Sequence, residues 1–301
     1  MYSASDFSLI VTSLVIFCTC YIQSEDEAEW KLNAKMMQFD GEEYWTREHR
    51  ELCDDPEKDE TWIYADSLCY TYHVGFEFVH IEIFSWSPPL LVYREFFTSS
   101  QVNNYRSLIK KQHLTEQQLI NSNGDSISTK YRQANGTYTP ADHYPSAQNL
   151  VDTASRLIPV LDFNNAEDMT SLTYSPGGHV ALHSDFLQYE RQNDLEEVEQ
   201  SYGYRLATFI MVFEKAIMGG GTAFPSLDTV VHSQVGDAIL WFNTRRNGEI
   251  EELMDHAGCP VYVGQKVIST IWICSKGQSL VEHCTEDDMF HVEELLPGYL
   301  I

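Results

Sequence analysis

Three side chains able to hold a metal fall at an ordered spacing: His183 and Asp185, separated by Ser184, and His256 about seventy residues later. Two imidazoles and one carboxylate take one face of an octahedral ion and leave the opposite face open. That suits non-haem Fe(II), which must also bind oxygen and a second reactant, although the donor types alone leave copper and zinc open. Lys266 follows His256 by ten residues within the apolar run VGQKVISTIWI. A lysine so placed reads as a buried cation that needs an anion, and the distal carboxylate of a co-substrate would serve. His179 and His232 lack comparable neighbours and read as structural.

These residues need a framework that brings distant segments together. From residue 168 onward the pattern is one of short strands punctuated by Gly and Pro: 169–174, 179–183, 205–213, 229–232, 237–242, 257–263 and 267–274. Such a run argues for a barrel or sandwich. On a strand, residues two apart point to one face, so His183 and Asp185 can converge. Upstream, 81–87 and 90–96 are strand material around Pro88-Pro89. A helix is expected over 100–113, capped by Ser99 or Ser100. The apolar spacing over 146–161 predicts a second helix, packed on the outside of a sheet. Asn-Gly-Asp and Asn-Gly within 122–138 are turn signals. Residues 188–202 read as an acidic, exposed and mobile connection.

The 301 residues, 43% of them hydrophobic and 13% aromatic, suffice for a sizeable core. A formal net charge of −26 argues against nucleic acid or an anionic membrane surface as partner. The start carries an apolar run over 7–22, about 24 Å long as a helix and short of a ~30 Å hydrocarbon core. It reads as a secretory signal peptide over 1–24, with a signal anchor as the alternative. Five of the seven cysteines lie beyond it, and in an oxidising compartment pairs are expected with one thiol left over. Asn135-Gly136-Thr137 is a glycosylation sequon.

The strings YSPGGHVALHSDF, GGGTAFP, GDAILWFN and HAGCPVYVGQK resemble, in order and spacing, the catalytic domain of collagen prolyl 4-hydroxylase α subunits, within the Fe(II)/2-oxoglutarate dioxygenases. The resemblance covers roughly residues 47–285. It implies a mostly β fold with flanking helices and a double-stranded β-helix (jelly-roll, cupin-like) core over 166–280. A lead-in with helical support over 25–165 precedes that core, and an acidic tail over 281–301 follows it. It also implies Fe2+ on His183, Asp185 and His256, with Lys266, Tyr174 and Thr222 holding 2-oxoglutarate, and L-ascorbate as a further cofactor. Trp272 reads equally as a wall of the site or as ordinary core. Arg132, Glu167 and Arg205 match polar positions lining the substrate groove. Cys53–Cys69 and Cys259–Cys284 match the family's disulfides, leaving Cys274 free.

The implied reaction is hydroxylation of peptidyl proline with oxidative decarboxylation of 2-oxoglutarate to succinate and carbon dioxide. The implied setting is the endoplasmic reticulum lumen or beyond, with a proline-containing, collagen-like substrate and a disulfide-isomerase subunit as partners and no membrane or nucleic acid. Two positions depart from the family: Val180 stands where it has Tyr, and Cys274 where it has His. A non-catalytic or substrate-diverged binding module is the alternative function.

Overall fold

A computed structural model of the chain describes residues 38–54, 68–117, 119–120, 126–127, 130–186, 202–282 and 287–296. The expected signal peptide, most of the 188–202 connection, the 122–125 turn and Cys284 lie outside the described residues. From Phe39 onward the chain is one compact unit. Its strands are β1 (Leu68–Val74), β2 (Glu77–Trp86), β3 (Pro89–Arg94), β4 (Thr115–Glu116), β5 (Leu119–Ile120), β6 (Ser126–Ile127), β7 (Arg132–Gln133), β8 (Asn135–Thr139) and β9 (Met169–Tyr174). They continue as β10 (His179–His183), β11 (Arg205–Glu214), β12 (Met218–Gly219), β13 (Thr222–Phe224), β14 (Thr229–Val231), β15 (Ala238–Phe242), β16 (His256–Gly258), β17 (Val261–Val263) and β18 (Lys266–Cys274). The α-helices are α1 (Arg47–Asp54), α2 (Ser99–Ile109), α3 (Pro145–Leu157) and α4 (Ser279–Glu282).

Two antiparallel sheets face one another. The larger runs β1-β2-β3-β15-β11-β18-β9-β8-β4 and the smaller β14-β13-β16-β10-β7. Strand β11 shows why both of its faces are apolar. From Phe209, alternate residues Phe209, Met211 and Phe213 pack with Tyr105 of α2 and Leu150 and Ala154 of α3, while Ile210 and Val212 pack between the sheets with Phe224 and Trp241. A strand sandwiched between helices and a second sheet must be hydrophobic throughout. The outer face of the smaller sheet presents Ala181, Ala223 and Ala257, and Trp45 and Cys53 of the lead-in lie against these small residues.

The elements depart from their sequence signals for local reasons. Thr98, rather than Ser99 or Ser100, caps α2, because Gln101 completes a reciprocal capping box with it. The stretch 257–263 is two strands, interrupted at Cys259-Pro260, since Pro260 has no N–H to give a ladder. Asn135-Gly136 is not a turn but the start of β8. Gly136 is tolerated there because a side chain would meet the Ser171 carbonyl oxygen of β9 at 2.6 Å. The acidic tail is anchored over its described part: Phe290, Val292 and Leu295 join the larger core, and the buried Arg246 guanidinium pairs with Glu294. Among the described residues no helix is long and apolar enough to cross a membrane.

The disulfide pairing inferred by resemblance does not hold. Cys53 of α1 bonds Cys259, with Cα atoms 5.7 Å apart, while Cys69 is a free, exposed thiol on β1. The lead-in crosses the smaller sheet, so α1 brings Cys53 to the end of β16. Cys274 is free, as expected, and buried.

Candidate metal and co-substrate site

The two sheets leave a cavity lined by Arg132, Tyr174, Val180, His183, Asp185, Thr222, His256, Lys266 and Trp272, among others. His183 ends β10 and His256 begins β16, directly opposite one another in register, with ring centroids 4.3 Å apart. Asp185 stands beyond the end of β10 rather than on it, so a bend, not strand alternation, turns it inward. Its carboxylate lies 3.8 Å from His183 Nε2 and 3.7 Å from His256 Nε2. One donor atom from each of the three residues falls within 4.8 Å of the others.

The surroundings aim these donors. His183 Nδ1 lies 2.9 Å from the Ala181 carbonyl oxygen and His256 Nδ1 lies 3.0 Å from that of Met254. With the proton held on Nδ1 by those acceptors, each ring turns its Nε2 lone pair toward Asp185. Burial and the neighbouring His256 push His183 below its ordinary value, so its ring is neutral near neutral pH. Burial alone would raise the Asp185 carboxyl, but His256, His183 and Arg205 outweigh it and hold the group below the usual carboxylate range. Thr208 donates a 2.8 Å hydrogen bond to Asp185 Oδ2 and in turn accepts one of 2.9 Å from Asn243 Nδ2. Sequence reasoning did not single out Thr208 or Asn243. Thr208 lies in the middle of the apolar β11, and a lone hydroxyl there was the available signal. Two converging Nε2 lone pairs and an ionised carboxylate are a donor set that fits Fe(II).

Lys266 begins β18 opposite Tyr174 of β9. Its ammonium is buried, 5.8 Å from the Tyr174 ring centroid, and donates a 3.5 Å hydrogen bond to Thr222 Oγ1. Among the described residues no carboxylate pairs with it, and burial lowers it to about 8. An unpaired buried ammonium beside two hydroxyl-bearing side chains is a cradle for a carboxylate. Burial also raises the Tyr174 phenol, which is therefore neutral.

Lys266, Ile268, Thr270 and Trp272 alternate along β18 and line the cavity. The Trp272 indole N–H is buried and faces the Asp185 carboxylate, which it helps to hold ionised, and Arg205 stands over its ring with Cζ 3.8 Å from the centroid. Arg205 also forks onto Glu167, with Nη2 2.6 Å from Oε2. Arg132, Glu167 and Arg205 thus do not form one surface: Arg132 lines the cavity, while Glu167 and Arg205 neutralise each other above Trp272. Cys274 continues the same face of β18 but is buried against this ion pair, and burial pushes its thiol up to about 11. His179 is structural, with its ring nitrogens 3.1 Å from the carbonyl oxygens of Gly177 and Lys130. A larger surface hollow between α1 and Asp228 lies apart from the triad.

Residues 169–274 match the 2OG-Fe(II) oxygenase superfamily. The chain is 30% identical over 211 residues to prolyl 4-hydroxylase subunit alpha-2 of Caenorhabditis elegans, covering 68% of this chain and 38% of that protein. It is 25% identical over 206 residues to prolyl 4-hydroxylase subunit alpha-1 of Bos taurus, with the same two coverages. It therefore spans well under half the length of these relatives. Among solved structures, the viral collagen prolyl hydroxylase of Paramecium Bursaria Chlorella virus-1 in its 2OG complex aligns at 19% identity with a TM-score of 0.48, covering 61% of this chain and 94% of that one.

Proposed function

We propose, for a chain whose residues 169–274 belong to the 2OG-Fe(II) oxygenase superfamily, that it is an Fe(II)- and 2-oxoglutarate-dependent dioxygenase hydroxylating peptidyl proline. The observation that carries this reading is a buried, unpaired Lys266 in the same cavity as His183, Asp185 and His256. A metal triad alone fits many enzymes. A triad with a carboxylate cradle beside it fits a metal that shares its open face with an anionic co-substrate.

Each residue then has a physical task. His183, Asp185 and His256 hold one face of the ion, and Thr208 fixes the carboxylate rotamer. Lys266, Thr222 and Tyr174 hold the distal carboxylate of 2-oxoglutarate. Trp272, pinned by Arg205, and Ile268 exclude water from the reacting centre. Bound iron and 2-oxoglutarate supply the oxidation: one oxygen atom of O2 ends in succinate and the other in the new hydroxyl, and carbon dioxide leaves. L-Ascorbate is the reductant that keeps the metal ferrous. Arg132, Glu167 and Arg205 border the approach of the polypeptide, and relatives named prolyl 4-hydroxylase support proline as its target.

The setting we propose is the secretory route, the endoplasmic reticulum lumen or beyond. The Cys53–Cys259 disulfide and an exposed Asn135 in its sequon support it. A collagen-like substrate and a disulfide-isomerase subunit remain part of this proposal. Succinate release from 2-oxoglutarate and Fe(II), with and without proline-rich peptides, tests the activity, and hydroxyproline in the recovered peptide identifies the product. Absence of both sinks it.

A further inference from the structure

Arginines in this chain are almost all matched by acids. Of the nine that the structure describes, eight lie within ion-pair distance of a carboxylate, from the exposed Arg47–Glu51 pair to the buried Arg246–Glu294 pair. The exception is Arg132. It stands half-buried on β7, the edge strand of the smaller sheet, opposite Val180 of β10. It lines the cavity of the triad, and its Nε is buried with no hydrogen-bond partner. In a chain with 45 acidic residues against 19 basic ones, the one described guanidinium without an acid partner lines the reaction cavity and marks a place kept for an incoming anion.

The charges of the site say which anion remains to be supplied. A divalent ion, the Asp185 carboxylate, the Lys266 ammonium and a dicarboxylate co-substrate cancel among themselves. Arg132 is left as one positive charge. Lys266 is deep, on the larger sheet and 8% exposed, whereas Arg132 rises from a sheet edge where a polypeptide can reach it. We infer that Arg132 is a specificity residue that binds an acidic side chain of the polypeptide substrate, placed within a few residues of the target proline. The inference rests on the proposed dioxygenase reading and adds the class of sequence it acts on. Basic residues at the same position are disfavoured, because they would stand against the guanidinium. The overall negative charge of the chain does not oppose this at contact range, since exposed charges beyond ~8 Å are largely screened at physiological salt.

The test is equilibrium binding of short peptides to the protein loaded with Fe(II) and 2-oxoglutarate without oxygen. One Glu is walked through the three positions on either side of a single proline, and each peptide is compared with its Gln twin. A charge-assisted bond predicts a Glu preference of about tenfold to a hundredfold at one or two of these positions. Arg132→Gln abolishes the preference, and Arg132→Lys keeps part of it. Because no described acid relies on Arg132, these variants leave no buried carboxylate exposed to a missing partner. Equal affinity of every Glu and Gln pair, no binding of any peptide, or a preference that survives in Arg132→Gln overturns the inference. So does a shift of the 2-oxoglutarate affinity in Arg132→Gln, which would make it a co-substrate anchor. A Glu preference that persists after proline is replaced by alanine keeps the anion site and removes proline from the proposed function. Hydroxylation of proline peptides without a Glu preference does the reverse.

Discussion

His183 and His256 face each other across the β10–β16 ladder because that ladder is irregular. Val180 pairs with Gly258 and His183 with His256, so β10 spends three residues where β16 spends two. Strand side chains alternate, and a one-residue slip reverses every face. Val180 and His183, an odd distance apart, both line the cavity only because of that extra residue. The bulge thus turns an ordinary strand end into one wall of a metal site.

His183→Ala, Asp185→Ala and His256→Ala should each abolish iron binding, read as metal content after dialysis and as loss of the Co(II) absorption of the substituted protein. The sheets beneath the site remain packed, so far-UV circular dichroism should be unchanged. Stoichiometric iron in any one of the three variants would assign the metal elsewhere.

Thr208→Val should weaken metal binding by roughly tenfold to a hundredfold, the range for losing a hydrogen bond that orients a ligand. Its hydroxyl is the side-chain donor seen on Asp185 Oδ2 at 2.8 Å. Thr208→Ser should restore most of the affinity. Equal metal affinity in wild type and Thr208→Val would reduce Thr208 to a packing residue.

Much of this was legible in the sequence, for physical reasons that differ by residue. The strands 169–174 and 179–183 have the predicted bounds, because their apolar runs are delimited by the Ser175-Pro176-Gly177-Gly178 turn. His183, Asp185, His256 and Lys266 were nameable because YSPGGHVALHSDF and HAGCPVYVGQK set them in an order and spacing that resemble a known family; residue type alone, with 11 histidines and 45 acids in the chain, would not have selected them. The bulge beside His183, the role of Thr208 and the crossing of the lead-in that pairs Cys53 with Cys259 were not legible. Each is set by register or by long-range packing, which leaves no mark on composition or spacing. Arg132 was visible as a residue, but its lack of a partner is a property of the assembled fold.

Lys266 makes 2-oxoglutarate binding pH-dependent. Burial lowers it from 10.5 to about 8 in the ligand-free protein, and a bound carboxylate favours its charged form. Affinity for 2-oxoglutarate should therefore be level below pH 8 and weaken by about tenfold per unit as pH rises above it. In the ligand-free protein the sign is that of a depressed group: the unfolded chain holds the extra proton between about 8 and 10.5, so stability is lost as pH falls through that window and is level below it. Lys266→Met should raise the melting temperature of the ligand-free protein and cost about 3–5 kcal/mol in 2-oxoglutarate binding. Calorimetric titrations at several pH values check both, and a flat profile through pH 9.5 would move the anchor off Lys266.

The cysteines can be sorted by exposure and reactivity. Cys69 is exposed and should alkylate in the native protein, whereas Cys274 is 2% exposed and its thiol is pushed up to about 11, so it should react only after unfolding. Peptide mapping without reduction should recover Cys53 joined to Cys259. This bond closes a long loop, with a sequence separation of 206, for which the chain-entropy account gives about 5 kcal/mol. It also pins α1 over Ala181, Ala223 and Ala257, and Cys259 follows His256 by only three residues. Cys53→Ala should therefore lower the unfolding free energy by up to that amount and loosen iron binding in parallel, while Cys69→Ala should change neither. Recovery of Cys53 joined to Cys69, or a Cys53→Ala variant as stable as wild type, would return the lead-in to the pairing that the sequence resemblance implied.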